Sequence, residues 1–533
     1  MQRRSTFQPM ILVSVIRNNK STLQSASWII FPDSATDALN LAVKQVSNGV
    51  FTFYNNDNEG VGLFPKPYNW WQSAVAWDSL VNYWYLTGDS SHNDQAQAAL
   101  VAQKGPDNDY MVPNQTISEG NDNQTVWGLA ALTAAERNFP QADGQDASWE
   151  DIARNVFDTL AARWDTSTCG GGLRWQIFTF NDGYNWKNAA SQALFFQLAA
   201  RLASFTGNQT YVDWATRTYD WTRESGLIGD DFAVYNGVNT DDNCTSVARD
   251  QWSRSAASFA FGSAVLANFT SDAQWTNRTN SHLSHLLSTF FPSGILTEPL
   301  CDPSNNCNSD QLAARALTLR YLALIPFYVP STYDQVWPAL NASAAAAAAR
   351  CTVADGTGET ARAGCRGRWD ASATNSSSSS PSSTTSSASA TSTGDNSVSD
   401  GTYDSDNDGR PDDWDTIDDN PSDTSNQNSD SNDDNDGNDG NGSPSGTGDD
   451  TWGLGQQVAA LEVLQSKYVV TSGGVNSSFV LRSANGTTGS GGSGSGSSGN
   501  GTGSGGNSSG AAAAGASSWG LIVITVVMGA WAL

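Results

Sequence analysis

The chain has 533 residues, a formal net charge of −27 at pH 7, six cysteines and three histidines. The acidic balance and the absence of a basic stripe argue against a nucleic-acid partner, whereas neutral polymers remain compatible with it. Few histidines and no CxxC pair argue against a zinc site.

Composition divides the chain into a part that can build a core and parts that cannot. Aromatic residues are frequent up to about residue 370, after which Ser, Thr, Asp, Asn and Gly predominate. We predict an N-terminal segment (1–35), a helical domain (36–370), a disordered Ser/Thr/Asp-rich insertion (371–450), a last helix (451–470), a disordered Gly/Ser stalk (471–510) and a terminal signal (511–533).

The N-terminal segment is a poor match to a secretion signal. Arg3 and Arg4 precede a short apolar run over residues 9–16, and no small-residue cleavage site follows. A misassigned start codon is one explanation. Secretion is favoured by glycosylation sequons at Asn114, Asn208, Asn243, Asn268, Asn277, Asn341, Asn485 and Asn500.

Six segments share one design, in which a polar or aromatic start is followed by a helix dense in small and apolar residues. They cover residues 69–88, 120–136, 185–207, 251–270, 308–324 and 454–466. Between them lie amphipathic stretches such as 149–164 and 211–225, which suit outer helices. The pattern predicts an all-α fold, an (α/α)6 barrel whose inner helices begin at one common face; the alternative is an irregular helical bundle.

The second segment opens with the Asn-Asp-Asn-Gln box at residues 121–124. Such residues are favoured helix caps, so a capping role is the simpler interpretation of the box taken alone. The recurrence of similar helix starts favours a functional role instead.

Within the insertion, DSDNDGRPDDWD has the spacing of a calcium loop. Alternate carboxylates converge on the ion, and a glycine permits the sharp turn. The predicted ligands are Asp404, Asp406, Asp408, Asp412 and Asp415. The alternative is a solvated acidic linker, because Asp is abundant throughout this stretch. No cofactor is predicted for catalysis.

The C-terminus has the pattern of a signal for a glycosylphosphatidylinositol (GPI) anchor. Small residues near Asn507 precede a spacer and an apolar run over 521–533. A transmembrane helix is the alternative, but the run is shorter than the roughly 20 residues that a membrane span requires. We therefore expect a secreted protein held at the outer face of the plasma membrane or in the cell wall.

Polar residues beside tryptophan at a barrel mouth suit a sugar polymer, because aromatic faces stack on sugar rings and amides and carboxylates bind hydroxyls. The alternative for most of these tryptophans is the core. The candidates are Tyr68, Trp70, Trp71, Gln72, Asp122, Asn123, Gln124, Arg174, Trp175, Asn185, Lys187, Asn188, Gln251, Trp252 and Asp310. No GxSxG elbow, P-loop or HExxH motif is present in the sequence.

Several long motifs resemble glycoside hydrolase family 76, the endo-α-1,6-mannanases and related fungal GPI-anchored cell-wall mannosidases. They include PYNWWQSAVAWDSLVNYWYLTGD (67–89), GNDNQTVWGLAALTAAE (120–136), CGGGLRWQI (169–177) and EPLCDPSNNCNSDQ (298–311). The resemblance implies an (α/α)6 barrel that cleaves α-1,6-mannan or a mannosylated glycoprotein glycan internally with retention of configuration. For the anchored members it also implies transfer onto cell-wall glucan.

In that family the box reads Gly-Asn-Asp-Asp-Gln, with the first of the adjacent Asp residues as nucleophile and the second as acid/base. The resemblance therefore assigns the nucleophile to Asp122, whereas Asn123 stands in place of the acid/base. Asn69 and Arg254 stand where the family has tyrosine. Asp182, Asp241 or Asp310 could replace the missing acid.

Three functions follow from this comparison. The chain is a mannanase or transmannosidase that uses Asp122, a mannan-binding protein without turnover, or a scaffold on a stalk. The match at Asp122 favours the enzyme, and Asn123 favours loss of turnover.

Six cysteines with two short loops also predict disulfides, among Cys169, Cys244, Cys301, Cys307, Cys351 and Cys365.

Overall fold

The computed structural model describes residues 36–54, 60–369, 452–471, 481–482 and 488–489. The five aspartates of the predicted calcium loop and the predicted anchor site near Asn507 lie outside these residues. Both remain predictions from the sequence.

Twelve α-helices alternate between two layers in the described part of the chain. The outer helices are α1 (Thr36–Val50), α3 (Asn93–Ala102), α5 (Trp149–Ala162), α7 (Gln209–Glu224), α9 (Ala273–Phe290) and α11 (Tyr333–Ala348). The inner helices are α2 (Trp70–Thr87), α4 (Asn121–Glu136), α6 (Ala189–Thr206), α8 (Ser253–Thr270), α10 (Ser309–Tyr328) and α12 (Leu454–Thr471).

The inner helices form a closed ring. Each packs against the next along the chain, and α12 packs against both α10 and α2. Each outer helix lies against the inner layer. The predicted (α/α)6 barrel is therefore confirmed, and the alternative of an irregular bundle is wrong.

Sequence explains which helices lie inside. Helix α6 is buried on every side from Ala189 to Ser204, as expected for a run of small and apolar residues. Helix α5 buries only the stripe that contains Ile152, Val156 and Leu160. Each fully buried aliphatic side chain of this kind contributes about 1.5–3 kcal/mol.

One buried ionic cluster joins three inner helices where the ring closes. Arg320 of α10 forms ion pairs with Asp78 of α2 and Glu462 of α12. All three side chains are buried. Loss of one partner would leave an uncompensated buried charge, so the cluster specifies which helices meet here.

A small antiparallel sheet, absent from the sequence-based prediction, positions two inner helices. It contains β1 (Trp186–Asn188), β2 (Tyr235–Asn239) and β3 (Val247–Gln251), in that order. Strand β1 ends at the residue before α6, and β3 ends two residues before α8. The sheet therefore determines where these helices begin.

The remaining regular elements are short. Strands β4 (Cys351–Asp355) and β5 (Arg362–Cys365) pair, as do β6 (Leu481–Arg482) and β7 (Thr488–Gly489). Turns of 3₁₀ helix cover Asp302–Ser304, Pro330–Thr332 and Gly358–Thr360.

The cysteines are paired as disulfides, which confirms the prediction. The bonds join Cys301 to Cys307, Cys351 to Cys365, and Cys169 to Cys244. Among the described residues, no helix has the length and apolarity that crossing a membrane requires.

Candidate active site at the barrel mouth

Four inner helices present their second residue to one another at the same end of the ring. These residues are Trp71 of α2, Asp122 of α4, Arg254 of α8 and Asp310 of α10. A chain of contacts runs from Asp122 through Arg254 and Trp71 to Asp310. Equivalent positions of the repeat therefore converge on one polar cluster.

Asp122 is buried, with an exposed fraction of 4%. Its Oδ2 accepts a hydrogen bond from Nδ2 of Asn188 at 3.1 Å, and its Oδ1 accepts one from the backbone N–H of Asn123 at 3.0 Å. Burial raises the pKa of the Asp122 carboxyl, while Arg254 and the amide of Asn188 act in the opposite direction. These groups hold and orient the carboxylate.

The start of α4 is held in place by the loop that contains Trp175. The backbone N–H of Asn121 donates to the carbonyl of Trp175 at 2.8 Å, and its Nδ2 donates to the carbonyl of Arg174 at 2.8 Å. At Gly120, an added Cβ would lie 2.6 Å from Oδ1 of Asp122. Glycine therefore leaves space for the carboxylate, and the cap residue itself contributes no side-chain hydrogen bond.

Asn123 is turned towards the preceding loop. Its Nδ2 donates to the backbone carbonyl of Ser118 at 2.8 Å, and its side chain is half-buried. A carboxamide has no proton to give at neutral pH, so Asn123 cannot act as a general acid.

Asp310 is the second carboxylate of the cluster. Nδ2 of Asn69 donates to both of its oxygens, at 3.1 and 3.0 Å, and Nε1 of Trp71 donates to Oδ1 at 3.1 Å. Burial raises the pKa of the Asp310 carboxyl; Asn69, Arg254 and Trp71 oppose this shift, and the charge of Asp122 adds to it. Asp310 and Asp122 therefore share one electrostatic environment.

Arg254 connects the two carboxylates. Its Nη2 lies 4.0 Å from Oδ2 of Asp122. Its guanidinium carbon lies 5.2 Å from the centroid of the Trp71 ring, a distance suited to a cation–π contact. One cation thus faces two acidic groups at the mouth.

Several predicted substrate contacts lie inside the barrel wall instead. Trp70 is buried and donates to Gln103, and Gln72 accepts from the backbone N–H of Asn69. Gln124 is buried between Arg163 and the carbonyl of Asp109. These contacts give the three residues packing and helix-start roles.

Other candidates brace the loops around the mouth. Arg174 pairs with Asp165 and stacks on Tyr184, and Lys187 is buried against the same Asp165.

The remaining candidates lie just before α8 and in loops that precede other inner helices. Gln251 contacts His285, and Trp252 packs against the Cys301–Cys307 disulfide. Trp175 is half-buried and packs its ring against Gly183. Tyr68 accepts from the backbone N–H of Leu454, and Asn185 donates to Asp241.

Sequence reasoning noted Asn69 and Arg254 only as departures from a family pattern, and it missed Ser118. The signal that finds Arg254 is its position, because it is the second residue of its inner helix, as Asp122 and Asp310 are. Ser118 lies in a loop and contributes a backbone carbonyl, which leaves no signal in the residue types.

Comparison with known proteins agrees with this architecture. The chain is 43% identical over 320 residues to mannan endo-1,6-alpha-mannosidase DCW1 of Saccharomyces cerevisiae, covering 59% of this chain and 71% of the relative. It is 44% identical to DCW1 of Candida glabrata over 319 residues, with the same coverage of each chain. The crystal structure of Dfg5 from Chaetomium thermophilum in complex with glucosamine matches with a TM-score of 0.60 and 36% identity, covering 64% of this chain and 84% of that one.

A family model also matches this chain, over the barrel up to and beyond β5. The model described as glycosyl hydrolase family 76 matches residues 38–400. That match covers more than half of the chain and includes the helices that carry Trp71, Asp122, Arg254 and Asp310. The chain therefore belongs to glycosyl hydrolase family 76.

Proposed function

We propose that this protein is an endo-acting α-1,6-mannosidase or transmannosidase that remodels mannan or mannosylated glycoprotein glycans of the fungal cell wall. Asp122 is the nucleophile that forms a covalent mannosyl intermediate. The observation that carries the proposal is the buried Asp122 carboxylate, oriented by Asn188 and Asn123 and paired with Arg254 at the mouth.

Chemistry and family membership support the same function. A buried carboxylate held in a fixed orientation at the barrel mouth suits attack on an anomeric carbon. The relatives named above are mannan endo-1,6-alpha-mannosidases. Water as the acceptor completes hydrolysis, and a hydroxyl of another glycan, such as cell-wall glucan, completes transfer.

Trapping the intermediate tests the role of Asp122. We expect a 2-deoxy-2-fluoro α-1,6-mannobioside with an activated leaving group to label a peptide that contains Asp122, detected by mass spectrometry. The Asp122→Ala variant should remain unlabelled. Labelling at another residue, or labelling that survives in Asp122→Ala, would refute the assignment.

The second candidate function is mannan binding without turnover. The position of Asn123 favours it, because this carboxamide donates to Ser118 and has no acidic proton. Retention of the protein on immobilised α-1,6-mannan with no released oligosaccharide would support binding alone.

For the cellular location, we infer secretion and attachment to the outer face of the plasma membrane or the cell wall through a GPI anchor. The support is the apolar C-terminal run after small residues near Asn507. Release of the protein from intact cells by a phosphatidylinositol-specific phospholipase would test the anchor.

A further inference from the structure

A second carboxylate at the mouth, Asp310, has the surroundings of a reacting group. It is half-buried, so part of its side chain is exposed. Its contacts come from Asn69 and Trp71 at the start of the neighbouring helix α2. Through Trp71 and Arg254 it is connected to Asp122.

We propose that Asp310 is the general acid and base of this chain, acting opposite the nucleophile Asp122. This inference rests on the proposed function, since it assigns the proton donor for the same reaction. Arg254 forms its ion pair with Asp122, which favours the ionised form of that carboxylate, and the charge of Asp122 in turn favours the protonated form of Asp310. Two acidic groups in one site are thereby assigned different tasks.

The other acidic residues near the mouth are less suited to this task. Asp182 and Asp241 are exposed, and Asp241 accepts a hydrogen bond from Asn185. Glu119 is buried, and its carboxylate accepts from the backbone N–H of Val112. Asp310 has a direct contact with a residue, Trp71, that also contacts Arg254.

The proposed steps balance in protons and bonds. Asp122 attacks the anomeric carbon while the bond from that carbon to the glycosidic oxygen breaks, and the protonated Asp310 gives its proton to the departing oxygen. Asp310 then removes a proton from water or an acceptor hydroxyl, whose oxygen displaces Asp122 from the anomeric carbon. Asp310 ends protonated and Asp122 ends ionised, as both began.

Two substrates whose leaving groups differ in their need for a proton test this role in the full chain. We expect Asp310→Asn to lower kcat/KM on α-1,6-mannan by roughly 10²–10⁴-fold, the usual contribution of a general acid. The burst of dinitrophenolate from a 2,4-dinitrophenyl α-1,6-mannobioside should be little changed, because this group leaves without a proton. With Asp310→Ala, added azide should yield an α-mannosyl azide, since azide attacks the intermediate without a base.

Two matched variants separate this inference from the proposed function. Asp122→Asn should lose activity on both substrates, and an active Asp122→Asn would refute the proposed nucleophile. Asp241→Asn, which changes an exposed carboxylate, should affect neither substrate. If Asp310→Asn slows both substrates equally, Asp310 only ties Asn69 and Trp71 in place and the inference is wrong.

The pH profile of the wild-type chain tests the same role without a substitution that could disturb folding. If Asp310 supplies the proton, kcat/KM for mannan should fall on the alkaline side as Asp310 ionises. The burst with the dinitrophenyl substrate should lack this alkaline fall. Identical alkaline profiles for the two substrates would overturn the inference.

Discussion

At the scale of single residues, the carbonyl of Ser118 gives position 123 a definite chemical preference. It accepts a hydrogen bond from Nδ2 of Asn123 at 2.8 Å. A protonated carboxyl could make the same bond, whereas an ionised one would face the carbonyl oxygen with a like partial charge. The site around Asn123 therefore suits a neutral hydrogen-bond donor.

This preference makes position 123 suitable for restoring an acid. We expect Asn123→Asp to recover mannan cleavage in the Asp310→Asn background by roughly 10²-fold, because the substitution restores a titratable acid beside Asp122. The measurement is kcat/KM on α-1,6-mannan for the double variant against Asp310→Asn alone. Asn123→Ala in the same background is the control, and equal rates for the two double variants would contradict the expectation.

Three of the departures from the family pattern lie in one cluster. Asn69 donates to both oxygens of Asp310, Arg254 pairs with Asp122, and Asn123 donates a backbone hydrogen bond to Asp122. From the sequence they are unrelated substitutions at distant positions. In the folded chain they surround the two carboxylates.

At the scale of elements, a buried acid fixes the start of α8, and the serine that it holds contacts α10. Glu298 is buried and accepts hydrogen bonds from the backbone N–H and the hydroxyl of Ser253. That hydroxyl also contacts the hydroxyl of Thr318. Since Arg254 follows Ser253 directly, this tie sets the position of the guanidinium at the mouth.

The same acid predicts a pH dependence of stability. Burial raises the pKa of Glu298 from 4.5 to about 7, so the folded protein holds a proton that the unfolded chain releases between these values. The contribution of Glu298 to stability is complete below pH 4.5 and is lost as the pH rises through about 7. The melting temperature should therefore fall over this range, by about 2–4 °C for each kcal/mol lost.

Glu298→Gln should weaken this fall, because glutamine does not titrate. Glu119, whose pKa burial also raises to about 7, preserves part of the dependence in both proteins. Thermal melts between pH 5 and 7.5 measure the difference, with the exposed Glu359→Gln as control. An unchanged pH slope in Glu298→Gln would show that Glu298 does not titrate in this window.

At the scale of the whole molecule, residues that are far apart in sequence lie close together where the barrel closes. Arg366 and Trp452 form a β-bridge, and an added Cβ at Gly364 would lie 2.5 Å from the Trp452 ring. The ring of inner helices is thus completed by α12, which follows residues 371–450 in the chain. Closure depends on α12, and Arg366 and Trp452, which flank the intervening segment, already meet.

We therefore expect the barrel to tolerate a much shorter connection. Replacing residues 371–450 with about ten Gly/Ser residues should leave the melting temperature within a few degrees, because loop closure changes by only about 0.6 kcal/mol for each halving of length. A chain that ends at residue 370 should aggregate, since it exposes the faces of α10 and α2 that α12 covers. A large loss of stability in the short-linker chain would show that the segment itself supports the barrel.

The helical architecture and the general place of the site could be predicted from the amino-acid pattern. Six apolar helices with polar starts, such as the box before Trp127, predicted the barrel, because a helix that is apolar all round must lie inside. The short disulfide loops were also predicted from spacing. These features depend on local pattern, which the chain carries from residue to residue.

The folded chain shows which polar helix starts meet at the mouth and which pack inside the barrel wall. Trp70 and Trp71 are neighbours in sequence, yet Trp70 donates to Gln103 in the core and Trp71 donates to Asp310 at the mouth. Successive residues of a helix point about 100° apart, so only the rotation of each helix in the ring selects the one that faces the site. That rotation is set by packing between helices distant in sequence, and for this reason the convergence of Asp122, Arg254 and Asp310 became visible only in the folded chain.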